Sequence, residues 1–377
     1  MTGLLDGVAL VDHHCHGPVR RELDRAAFEQ LATEGDGRAP AGCTALDSQL
    51  GFAIRRWCAP ELGLEPHAGP EDYLARRSEL GAAEVNRRFL AGAGVAAFLV
   101  DTGFAADDLL GPAEMAAAAG TSARELVRLE AVAERLASDG PTAAGFPAAY
   151  ADALHAATAD AAGLKSVIAY RYGLDFDPER PSAREVRDAA GRWLRRVAVV
   201  PTARLDDPVL LRHLLWAGVD RGLPLQFHVG FGDPDLQLDR CDPARMTGFL
   251  RAVQPRGIPV LLLHCYPFHR QAGYLAHVFP HVYADVGLAV NYVGARAAAV
   301  LAESLELIPF AKVLYSSDAY GLAELHYLGA VLFRRAVEEV VGGWVTAGLW
   351  SASDARRVAG MAGAGNAERV YGRDHVR

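Results

Sequence analysis

The sequence has 377 residues, 51% of them hydrophobic, enough to bury a large core as one big domain or two ordinary ones. Its 46 acidic and 38 basic residues leave a net charge of -8, which argues against nucleic acid or an anionic membrane as the main partner and leaves a small polar molecule as the substrate. Cys15, Cys43, Cys58, Cys241 and Cys265 show no C-x-x-C spacing and read as reduced thiols of a cytoplasmic protein; no basic leader and no apolar run of about 18 residues predicts export or a membrane span.

In chain order, eight short apolar runs read as strands: "VALVDHH" (8–14), "VAAFLVDTG" (95–103), "ELVRLE" (125–130), "LKSVIAY" (164–170), "LPLQFHVG" (223–230), "IPVLLLHC" (258–265), "HVYADVG" (281–287) and "KVLYSSD" (312–318). Helical patterns lie between them. In "DDPVLLRHLLWAGVDRG" (206–222), Asp206 or Asp207 can cap, Pro208 suits the first turn and Gly222 can end the helix. Strand–helix alternation of this kind predicts an α/β protein with a parallel sheet, and eight units predict a (β/α)8 TIM barrel, which needs roughly 250 residues. The surplus falls between the first two strands, where "RRELDRAAFEQLATEG" (20–35) and "YLARRSELGAAEVNRRFLAGAG" (73–94) are helical, so a helical insertion over about 18–94 is expected to shape the substrate pocket. No repeat or linker divides the chain, which favours one domain over 1–377. An open doubly wound sheet is the alternative, but "HHCHGPVR" lacks the glycine-rich turn that fold places after its first strand.

In such barrels the reactive groups project from the C-terminal strand ends. Here those ends carry His14 and His16, Asp101, Glu130, Arg171, His228, His264, Asp285 and Asp318 in turn. His14 and His16 stand two apart, so both imidazoles share a face, with His13 and Cys15 opposite. The same alternation turns Gln226 and His228 inward on strand 5, and Leu314, Ser316 and Asp318 together on strand 8. Imidazole nitrogen and carboxylate oxygen are zinc-type ligands at about 2.0–2.2 Å, so His14, His16, His228 and Asp318 form a ligand set with room for water. Asp101, Glu130 and Asp285 either stand behind that set or cap the following helices. His13, His67, His155, His213, His269, His277, His281, His326 and His375 lie off-register, on helices or far from strand ends, and are given no ligand role.

"HHCH", "FHVGFGD", "LLLHCYPFHR", "LYSSDAYG" and "NAERVYG" (366–372), in that order, resemble the amidohydrolase superfamily in its amidohydrolase-2 branch, in particular the domain fused to or encoded beside glutamine-synthetase-like proteins of the FluG and nodulin type. The resemblance implies that His14, His16, His228 and Asp318 hold a divalent metal, Zn2+ before Mn2+ or Fe2+, and that His264 stands by the water or the substrate carbonyl. It implies metal-dependent hydrolysis of an amide C–N bond in a small carboxylated substrate such as a γ-glutamyl amide; the alternative is a metal-dependent decarboxylase or lyase acting on a small carboxylic acid. On that reading Asp318 moves the proton, His264 steadies the carbonyl oxygen, and Arg171 with Tyr170 clamps the substrate carboxylate unless Arg171 pairs with an acid such as Asp175.

Two-metal members of the superfamily bridge their ions with a carboxylated lysine at the end of strand 4. Only Lys165 can match it, in a chain whose sole other lysine is Lys312. Each of the two stands six residues before its expected strand end, which puts Lys165 about 15–20 Å from the metal end. One ion is therefore expected, with Lys165 as the candidate bridge to a second. Should the chain assemble, a homodimer is the expected form.

Overall fold

Apolar runs that pair in parallel organise the chain from its first strand. The computed structural model describes residues 3–37, 39–105 and 107–376, the side chain of His375 excepted. Seven parallel strands follow one another in the order β1-β2-β3-β4-β5-β6-β7: Leu10–Cys15, Val95–Asp101, Ser122–Arg128, Gly163–Ser166, Leu225–Val229, Val260–His264 and Val282–Ala284. The eighth expected strand is an extended segment outside the regular ladder, and it closes the barrel. Leu314 N–H donates to the Ala284 carbonyl on β7, while on β1 His13 N–H donates to Tyr315, His16 N–H to Ala319, and Asp318 N–H to the His14 carbonyl. The result is the expected α/β TIM barrel.

Val11, Ala97, Leu99, Leu126, Leu261, Leu263 and Leu314 fill the barrel, and Ala367, Tyr371 and Val376 of the C-terminal helices Asn366–Tyr371 and Arg373–Val376 pack against them. Asn366 fixes this plug: its buried Nδ2 donates to the carbonyls of Phe310 (2.8 Å) and Val313 (2.7 Å) on the closing segment. "NAERVYG" is thus a structural motif as much as a family signature.

Three strands end elsewhere than their sequence runs predict, and this moves the candidate site residues. β3 stops at Arg128 because "LEAVAERLAS" starts the amphipathic helix Leu129–Ser138, so Glu130 sits in a first helical turn. β4 stops at Ser166 and the chain turns into a short helix at Ile168–Arg171. β7 has only three residues, and Asp285 follows it.

Between β1 and β2 the insertion holds the helices Arg25–Leu31, Gln49–Ala53 and Pro70–Leu80. The next helix, Ala82–Gly92, packs between Pro112–Ala119 and Ala323–Val337 and so belongs to the outer ring, which makes the insertion shorter than 18–94. A buried ion pair pins it. Arg77 Nε lies 2.8 Å from Glu324 Oε1, both side chains being at most 3% exposed, and the Tyr73 hydroxyl donates to the same oxygen. Removing one partner strands a buried charge. Arg77→Met is expected to lower the unfolding free energy by about 3–5 kcal/mol in urea titrations, and a loss below about 1 kcal/mol would show the insertion is held by its apolar contacts alone.

Candidate metal centre

A register irregularity in β1 builds the site. Asp12 stands opposite Phe98 and Cys15 opposite Val100, so β1 spends three steps where β2 spends two. The extra residue defeats strict alternation. Asp12 and Cys15 face outward, to Ser317 and to the Leu99 carbonyl. His13 and His14 both turn inward, which corrects the expectation that His13 points away. His13 Nε2 lies 2.7 Å from Asp285 Oδ2, its Nδ1 lies 3.0 Å from the Tyr371 hydroxyl, and Gln226 Nε2 donates to both that hydroxyl and the His13 carbonyl.

Above this floor the predicted ligands gather around Asp318. Its Oδ1 is 3.2 Å from His14 Nε2 and 3.9 Å from His16 Nε2, and its Oδ2 is 3.2 Å from His264 Nδ1. The His228 ring centroid is 4.7 Å from that of His264 and 4.5 Å from that of Tyr170. His16 Nδ1 is 3.0 Å from the Asp101 carbonyl, which can only accept; Nδ1 therefore carries the proton and Nε2 turns a lone pair toward Asp318. His264 (φ 68°) and Asp318 (φ 45°) occupy the left-handed region, a cost that side-chain-bearing residues bear where a site demands it. Asp285 holds the first of these bends, its Oδ1 accepting from the His264 amide at 2.6 Å and from that of Gly287 at 3.1 Å.

The electrostatics fit a cation. Burial, reinforced by neighbouring positive charge, drives His14, His228 and His264 well below the usual histidine range, and it takes His16 down to about 4. These imidazoles are neutral and keep their lone pairs. Burial raises the Asp318 carboxyl well above the usual range, with Lys165 opposing. His14 Nδ1, His228 Nε2 and His264 Nδ1 are buried without a hydrogen-bond partner among the described residues. Such atoms are costly unless something satisfies them. Three triads among the described residues have donor atoms mutually within 4.8 Å, and two of them share His14: His14 with His264 and Asp318, and His14 with His16 and Asp101; the third, Asp12 with Cys15 and His326, lies on the outer side of β1. Several nitrogens and one carboxylate in a dry pocket suit a divalent zinc-type ion. His264, expected only beside the water, is as near to Asp318 as His14 is.

Lys165 is the largest displacement from expectation. Because β4 ends at Ser166, Lys165 is at the strand end, its Nζ 3.2 Å from His14 Nε2, rather than 15–20 Å away. Arg171, in contrast, has left the strand; its guanidinium is 3.2 Å from Glu134, while Asp175 pairs with Arg240. Tyr170 stays in the site against His228. Glu130 accepts from the Ser166 hydroxyl and the Val167 amide, bracing the turn after β4. Asp101 carries the carbonyl that orients His16 and a carboxylate bound by Arg128. Arg128 and His13 are therefore site residues that strand reading passed over; the helical period starting at Leu129 was the available signal for the first, while the bulge behind the second has no sequence mark. Glu34, from the insertion, was missed as well: its carboxyl hydrogen-bonds the Tyr292 hydroxyl and is raised by burial. Beside Tyr292 opens a cavity of about 640 Å³ lined by Gln49 of the insertion and by Phe231, Tyr266, His269 and Arg296 among others; none of the candidate metal ligands lines it.

A model of the amidohydrolase family matches residues 142–373. The chain belongs to the amidohydrolase family. Protein fluG of Emericella nidulans is 37% identical over 221 residues, 55% of this chain but only 25% of that protein, so the match spans a quarter of the relative's length. A Lactobacillus casei protein assigned as a metal-dependent hydrolase superposes with a TM-score of 0.87 at 28% identity, covering 100% of both chains. Uronate isomerase from Thermotoga maritima shares the fold alone, with a TM-score of 0.63 at 12% identity over 98% of this chain and 96% of its own.

In this amidohydrolase, burial lowers the Lys165 amine from 10.5 to about 8 against the pull of Asp318 and Asp101. Between those two values the unfolded chain binds more protons than the native one, so native stability rises with pH across that window. Lys165→Met is accordingly expected to stabilise the metal-free protein most below pH 8, by roughly 3 kcal/mol, with the gain shrinking to nothing toward pH 10.5. Denaturation at a series of pH values checks this, and a pH-independent gain would mean an ordinary lysine.

Proposed function

We propose that this amidohydrolase hydrolyses an amide C–N bond of a small carboxylated molecule, with a γ-glutamyl amide as the candidate substrate. One observation carries the reading: imidazoles kept neutral by burial gather at the C-terminal mouth of the barrel about the Asp318 carboxylate, with His14 Nε2 and the unpartnered His264 Nδ1 each 3.2 Å from it. His14, His16, His228 and Asp318 would hold one zinc ion, and His264 is close enough to join them. When bound, the ion lowers the pKa of water toward neutrality and polarises a carbonyl oxygen.

The chain's own groups do the rest. Asp318, held high by burial, takes one water proton as the water oxygen bonds to the carbonyl carbon, then delivers it to the nitrogen as the C–N bond breaks, releasing a carboxylic acid and an amine. The second water proton leaves on the new carboxyl group, which gives it up to the amine or to solvent as it ionises. Where His264 is not a ligand, it donates to the carbonyl oxygen as negative charge develops there. Lys165 sits where a carboxylated lysine could bridge a second ion, and its lowered pKa makes a free amine available for carbon dioxide. Tyr170 packs on His228 and walls the pocket. No relative described above is a decarboxylase, and hydrolysis is the reading retained. The five unpaired cysteines support a reducing, cytoplasmic setting.

Zinc content and turnover of L-γ-glutamyl-p-nitroanilide test the assignment together. His228→Ala is expected to lose both, and an active, zinc-replete variant would refute it. Asp318→Asn is expected to lower kcat by about 10²–10⁴-fold, the range for a lost proton carrier; an undiminished kcat would move that role to another residue.

A further inference from the structure

We infer that Arg128, not Arg171, receives the substrate's carboxylate, an assignment that rests on the hydrolase reading for the scissile bond but not for the anion subsite itself. Arg128 is the last residue of β3 and stands directly opposite Lys165 of β4. Paired residues of parallel strands share a face, so Arg128 points into the same mouth as Lys165, whose amine touches His14.

The guanidinium is aimed and only partly used. Its Nε and Nη2 lie 3.1 and 2.7 Å from a single oxygen, Oδ2 of Asp101, whose Oδ1 is itself fixed by the Gly103 amide at 2.8 Å. Nη1 makes no hydrogen bond among the described residues, and the side chain keeps 11% exposure while that of Asp101 has none. A fork anchored along one edge, with donors left toward the mouth, is built for a planar carboxylate. A purely structural pair has no need of that open edge.

The covering loop supports the same role. A Cβ on Gly103 would fall 2.4 Å from Arg128 Cβ, so only glycine lets the loop close this far over the arginine. The Phe104 ring lies 5.8 Å from the guanidinium carbon and 5.5 Å from the Tyr320 ring, which in turn is 5.9 Å from His16. These rings form a continuous chain of contacts from the arginine, through the half-exposed Phe104, to a predicted metal ligand. Since adjacent strands are about 4.8 Å apart, the carboxylate and the carbonyl it accompanies are separated by a short carbon chain. Arg171 pairs with Glu134 through Nη2 at 3.2 Å and leaves Nε and Nη1 buried without a partner among the described residues, but it stands in the short helix after β4 and not at a strand end paired with Lys165, so it is the rival that the experiment includes. The substrate class is therefore a short-chain amide carrying a carboxylate at its other end.

Two paired probes on zinc-loaded protein test this. Calorimetry compares glutarate with butyrate, which lacks the second carboxylate; kinetics compare L-γ-glutamyl-p-nitroanilide with 4-aminobutyryl-p-nitroanilide, which lacks only the α-carboxylate. Wild type is expected to prefer the carboxylated member of each pair. Arg128→Gln should cut each preference about 100-fold, Arg128→Lys by less, with zinc content unchanged and Arg171→Gln retaining both preferences. Equal losses on both members, loss of zinc, no glutarate preference in wild type, or transfer of the effect to Arg171→Gln each overturn the assignment. If neither anilide turns over but Arg128 still sets the glutarate preference, the subsite stands and the hydrolase reading falls.

Discussion

A buried carboxylate ringed by neutral imidazoles is the constraint around which this molecule is arranged. The Asp318 carboxyl is nine-tenths buried, and of the two nitrogens 3.2 Å from it His264 Nδ1 has no hydrogen-bond partner among the described residues while His14 Nε2 meets the Lys165 amine. In a protein interior that arrangement is costly unless a positive charge resolves it. Several features of the backbone exist to hold it open. The irregular β1 brings two consecutive histidines to one side, and the left-handed bends at His264 and Asp318 aim side chains that regular strands would have pointed elsewhere.

Beneath the ligands runs a polar floor that links them to the plug. Asp285 joins the His264 amide to the His13 ring; His13 and Gln226 meet at the Tyr371 hydroxyl; Tyr371 packs among the apolar residues that fill the barrel. Each polar group in this layer is buried and nearly every one is satisfied, so it rigidifies where a half-satisfied network would soften. Ser316 adds a bond to Asp285 at 3.0 Å, tying the closing segment to the same layer. The family's C-terminal motif therefore belongs to the support of the site, even though none of its residues reaches the mouth.

Much of this was legible in the residues. Eight apolar runs led to the barrel, and reading their ends brought His14, His16, His228, His264 and Asp318 to one place. What could not be read was where a run stops being strand. "KSVIAYR" carries an unbroken apolar centre, residues 167–169, yet it folds as two strand residues followed by a helical turn, so Lys165 approaches the site and Arg171 departs from it. "LVRLE" hides a strand-to-helix change in the same way, and Arg128 was overlooked. These errors share a cause: apolar periodicity over four or five residues does not separate a buried strand from the first turn of a buried helix. The β1 bulge left no mark either, since a local slip in pairing depends on the neighbouring strand.

The closing segment has one more implication. Asp318 and His14 hang from the same rung, the amide of the one bonded to the carbonyl of the other, so a peptide hydrogen bond sets the spacing of base and imidazole on that wall. The opposite wall is set in the same way, since His228 and His264 ride on strands that pair beside them, Val229 opposite His264, and Asp285 holds the His264 amide, so the ring's dimensions are fixed by the barrel's backbone before any side chain moves.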